Sequence, residues 1–110
     1  METINFKQID SFTEAEFEAL KTKHGKAYII SIDDEGKALH YAVVRPSRAV
    51  IAAVSEAAGK QDVAKVNELL VKNLIKLGDT NALEDGTIYL TVIAELGKLM
   101  EPTKSFLHKG

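Results

Sequence analysis

Two extended runs, 27–32 and 38–44, flank the polar stretch Asp33-Asp34-Glu35-Gly36-Lys37. Runs rich in β-branched and aromatic residues, separated by turn residues with a glycine, predict a β-hairpin. In the first run Tyr28, Ile30 and Ile32 share one face, and Ile29 and Ser31 the other. The second sets Leu39, Tyr41 and Val43 against His40, Ala42 and Val44. Both strands are therefore apolar on both faces. A lone hairpin is not stable in water, so helices must cover at least one of those faces.

The helix signals lie on either side of the hairpin. Thr13-Glu14-Ala15-Glu16 has the capping-box form, and it precedes Phe17 and Leu20, with Phe12 just before it. Gly25 is the expected stop. Pro46 closes the second strand, and Ser47 is placed to cap a helix running to about Ala58, with Val50, Ala53, Val54 and Ala57 inward and Gly59 as its end. Asp62 is placed to cap a third helix carrying Val63, Val66, Leu69, Leu70, Leu74 and Leu77 on one side, ended by Gly78-Asp79. The segment 87–93 has strand composition. Tyr89, Val92, Ile93, Leu96 and Met100 nevertheless recur at helical spacing after Asp85, and helix is the preferred assignment. The expected fold class is α+β: an N-terminal helix, a β-hairpin, then three helices packed on it.

A chain of 110 residues suits one domain, 1–110, with an ordered core over about 13–100 and 101–110 as a tail. Cysteine is absent, which removes disulfides, thiolate metal ligands and cysteine nucleophiles, and fits a cytoplasmic location. Fourteen basic and sixteen acidic residues provide no strong field for nucleic acid. No apolar run approaches the ~20 residues that span a bilayer, and the first residues have no signal-peptide pattern.

Candidate chemistry is sparse. His24, His40 and His108 show no His-x-x-x-His or Glu-x-x-His spacing, so no metal and no cofactor is expected. Asp33-Asp34-Glu35-Gly36 is too short for a calcium loop and has Lys37 where a donor belongs. No serine sits in a Gly-x-Ser-x-Gly elbow, and no enzyme activity is expected. Arg45 and Arg48, beside a helix start, are candidate anion ligands and would suit a small anion- or metabolite-binding regulatory module. Leu96, Leu99, Met100, Phe106 and Leu107 form the candidate partner surface, for a protein client or a second copy of the chain. A tail folding back onto its own core is the competing use of the same residues.

The ordered features Lys23-His24-Gly25-Lys26-Ala27-Tyr28, Arg45-Pro46-Ser47-Arg48, Leu74-Ile75-Lys76-Leu77-Gly78-Asp79 and Tyr89-Leu90-Thr91-Val92-Ile93 resemble small phage or prophage proteins of the tail-assembly-chaperone type. The resemblance spans roughly residues 23–97. It implies a non-enzymatic protein that coats a long helical tape-measure client in the bacterial cytoplasm before the tail tube polymerises, and is then released. A helix-in-groove contact would shield the client's apolar stripe, and release would follow from the tube subunits' greater affinity for the same client.

Overall fold

A computed structural model describes residues 4–103, 105 and 107–109. The capping box at Thr13 forms: its hydroxyl accepts from the Glu16 amide at 3.1 Å, and the Glu16 carboxylate accepts from the Thr13 amide at 3.0 Å. Helix α1 (Glu14–His24) follows and ends at Gly25. Strands β1 (Ala27–Asp34) and β2 (Lys37–Val44) then pair antiparallel, with Asp34 opposite Lys37. Only Glu35 and Gly36 connect them, with φ of 51° and 90°. Positive φ at both central residues is what a type I′ turn requires, and that turn matches the right-handed strand twist. The Asp33 carboxylate steadies it by accepting from the Gly36 amide at 2.8 Å.

Ser47 caps helix α2 (Arg48–Gly59) by accepting from Val50, and Asp62 caps helix α3 (Val63–Leu74) by accepting from Lys65. Helix α2 ends at Gly59, as expected. The left-handed φ of 60° that follows it falls on Gln61 and not on the glycine. Asp85 opens helix α4 (Gly86–Leu99), accepting from the amides of Thr87 and Ile88. The preference for helix over strand at 87–93 therefore holds. The deepest stripe of α4 is Ile88, Val92 and Leu96, with Tyr89 only half-buried.

The expected extent of the third helix fails. The third helix ends at Leu74, and residues 75–78 form a strand, β3 (Ile75–Gly78), antiparallel to β2. The sheet order is β1-β2-β3, so β2 is central. Helical spacing carried the sequence pattern through Leu77, but β2 has apolar residues on both faces and one edge unpaired by the hairpin. A local extended segment satisfies that edge's backbone groups, which outweighs one further helical turn. Val63 is 68% exposed at the helix start, so it is not part of the inward side.

Both faces of the sheet are covered. Ile30, Leu39, Tyr41 and Val43 meet Val54 of α2, Leu70 and Leu74 of α3, and Ile88, Val92 and Leu96 of α4. On the opposite face Ala42 lies under Ile9, Phe12 and Phe17, with Ala27, Ile29 and Leu77 around them. The ordered core thus begins before Thr13: Ile9 and Phe12 are buried, and the Phe17 ring lies 5.6 Å from Phe6 and 6.4 Å from Phe12. Fully burying each such aliphatic or aromatic side chain contributes roughly 1.5–3 kcal/mol. Among the described residues no helix is long and apolar enough to cross a membrane.

Candidate functional site

The end of β2 delivers Arg45 and Pro46 to one end of the sheet, where α2 begins and α4 finishes. A surface cleft of about 910 Å³ opens there, lined by Tyr28, Arg45, Pro46, Ile51, Lys98, Leu99, Met100 and the chain 101–103. Ile51, the fourth residue of α2, is 42% exposed and adds apolar surface to the cleft. Leu99 and Met100 are half-buried and pack against the main core from the last turn of α4. The Arg45 guanidinium sits 5.9 Å from the centre of the Tyr28 ring, within cation–π range. Lys98 supplies a second cation, which pairs with Glu95 at 2.9 Å on the exposed side of the helix. The cleft therefore sets apolar side chains beside Arg45, Lys98 and the acidic Glu101.

Two groups of candidate residues, separate in the sequence, meet here. Leu99 and Met100 from the partner surface and Arg45 from the anion pair line one cleft. The others do not join them. Leu96 has no exposed surface and belongs to the main core, because it falls on the inward stripe of α4 with Ile88 and Val92. Arg48 is exposed on the first turn of α2 and is absent from the cleft lining. Ser47 already engages the Val50 amide at that helix start. Leu107 is fully exposed and Phe106 lies outside the described residues. Tyr28 and Ile51 are the residues that sequence reasoning missed. Tyr28 reads as a strand core position, whereas the exposure of Ile51, off the stripe of Val50, Val54 and Ala57, was a signal open to inspection.

A second, smaller cleft of about 330 Å³ runs between α2 and α3, over Ala53, Ala57 and Leu69. Its polar rim has structural duties: Lys60 pairs with Glu56 at 3.2 Å, and Asp62 caps α3.

The ionisable groups with shifted pKa are also structural. Burial, and then the negative charge of Asp79, push the Tyr41 phenol above its usual value. The Thr87 hydroxyl, followed by the Thr87 and Ile88 amides, holds the Asp85 carboxyl below its usual value. His40 is half-buried, and its backbone groups bond to Asp79 and Ser11. Among the described residues no three His, Asp or Glu side chains converge in a way that could hold a metal ion. No known family model, curated protein or solved structure matches the chain.

Proposed function

We propose that this chain is a non-enzymatic protein-binding domain that takes the apolar stripe of a helical client into the cleft at the end of its sheet. The observation that carries the reading is the juxtaposition of Ile51, Leu99 and Met100 with Arg45 and Lys98. Apolar side chains beside the Arg45 guanidinium suit an amphipathic helix bearing a carboxylate next to its apolar residues. Methionine adapts its shape to irregular partners at little cost. The more specific form of the proposal follows the resemblance: an assembly chaperone of phage-tail type, holding a tape-measure client in the cytoplasm of a bacterial host until the tube subunits displace it. The alternative of an anion-binding module has less support, since Arg45 lies against Tyr28 and Arg48 stands outside the cleft.

The test is calorimetric titration of the chain with a long amphipathic helical peptide, together with co-purification alongside a tape-measure protein. Ile51→Asp and Met100→Asp are expected to weaken binding by tenfold or more, equivalent to about 1.4 kcal/mol. Binding insensitive to both substitutions would overturn the proposal for this cleft.

A further inference from the structure

Strand β1 is one edge of the sheet, and its register shows which of its backbone groups are unused. A two-residue turn makes Asp34 and Lys37 a hydrogen-bonded pair, after which bonded and non-bonded pairs alternate. Ser31 is thereby opposite His40 in a non-bonded pair. Independent bonds agree: the His40 amide donates to the Asp79 carboxylate at 2.9 Å, and its carbonyl accepts from the Asp79 amide at 3.1 Å, both away from β1. The amides and carbonyls of Ala27, Ile29, Ser31 and Asp33 accordingly point outward from the sheet edge. Among the described residues no hydrogen bond fills them from that side.

Exposed edges of this length are normally blunted by proline, a bulge, an inward charge or shortness. The opposite edge has two of these devices, since β3 is only four residues long and its pairing with β2 is irregular at Ala42 and Val43. Strand β1 has eight residues, no irregularity and the apolar sequence Tyr28-Ile29-Ile30-Ser31-Ile32. Above it lies α4, which touches β1 and α3, while α3 in turn touches α2. Helix α4 is the helix of this layer that packs on β1. Its exposed residues include Thr87, Leu90, Thr91 and Ala94, with Leu90 64% exposed, and its charges lie at the C-terminal end, where Glu95 pairs with Lys98.

We infer that the occupant of this edge is a second copy of the chain, joined β1 to β1 in antiparallel register about Ile30, so that two three-stranded sheets become one. Charge complementarity selects this occupant. Strand β1 is entered through Lys26 and left through Asp33 and Asp34, so a two-fold related copy brings Lys26 opposite the other copy's Asp34 at both ends. Among the described residues neither Lys26 nor Asp34 is in an ion pair. The same register pairs Ala27 with Asp33 and Ile29 with Ser31, all of which have outward backbone groups, so the ladder closes without a mismatch. Such an interface is isologous, each surface complementing itself. The inference does not rest on the proposed client binding, and Tyr28 is the residue of β1 that also lines the cleft.

Sedimentation equilibrium of the full chain over a wide concentration range tests it. The expected species has about twice the chain mass of 12.0 kDa. Ser31→Pro removes an outward amide while leaving the β1–β2 ladder intact, and is expected to yield a folded monomer, with folding checked by circular dichroism. Lys26→Asp is expected to weaken the dimer about tenfold by setting like charges together at both ends. Adding Asp34→Lys to it should restore the wild-type constant, a rescue that a purely structural role for either residue would not produce. A chain that stays monomeric at high concentration, or a dimer indifferent to both Ser31→Pro and Lys26→Asp, would overturn the inference.

Discussion

At the scale of single residues the tightest arrangement joins Gly78 and Asp79 to the middle of β2. The Tyr41 phenol donates to the Asp79 carbonyl at 2.9 Å, while the Asp79 side chain and amide engage His40. This close approach depends on Gly78, which has a φ of 136°. A Cβ there would lie 2.5 Å from the His40 carbonyl oxygen and 2.8 Å from the Tyr41 Cα, both backbone atoms that cannot swing aside. Gly78→Ala should cost roughly 3 kcal/mol, combining backbone strain with overpacking, as measured by urea denaturation. Tyr41→Phe strands the Asp79 carbonyl and should cost about 1 kcal/mol at neutral pH. It also changes the alkaline limb. Because the folded phenol titrates above the unfolded value of 10.0, its contribution is intact below that pH and is lost as the pH rises through the folded value. Denaturation midpoints of the wild-type chain should therefore fall more steeply above pH 10 than those of Tyr41→Phe.

At the scale of elements, caps decide where helices begin, and pairing decides where one of them ends. Asp85 accepts from Thr87 and Ile88, and the Thr87 hydroxyl donates to it at 2.6 Å. Its folded pKa is depressed, so its contribution is present above the unfolded value of 3.8 and is lost as the pH falls through the folded value. Asp85→Ala should speed amide exchange in the first turn of α4 at neutral pH and flatten the acid limb of the stability profile, both readable by NMR-detected exchange and denaturation. This cap, the Thr13 box and the Glu35-Gly36 turn were legible because each depends on residues within a few positions of one another. The β3 strand was not. Leu70, Leu74 and Leu77 keep helical spacing, and nothing near them in the chain records that β2 needs a partner on its second edge.

Across the whole molecule, burial separates residues that the sequence grouped together. Leu96 is fully enclosed, whereas Leu99 and Met100, within the next four positions, reach the cleft. Leu96→Ala should destabilise the fold by about 2–5 kcal/mol through the cavity it leaves, with client affinity unchanged wherever the chain remains folded. Leu99→Ala should show a smaller stability cost and a clear loss of client affinity. Thermal denaturation paired with calorimetric titration distinguishes the two. If the substitutions behaved alike in both measurements, the division between core and cleft would be wrong.

Short-range chemistry alone determined the caps and the hairpin with its two apolar faces, and it favoured helix over strand at 87–93, since a hydroxyl, carboxylate or positive φ acts on groups one to four residues away. Only the tertiary structure decided that 75–78 would extend, that Leu96 would be enclosed, and that Arg45 would share a cleft with Leu99 and Met100. Each of those outcomes joins groups tens of residues apart, as the bond from Tyr41 to Asp79 does across 38 positions. Contacts of that range exist only after both partners have been folded into place, and the local pattern carries no trace of them.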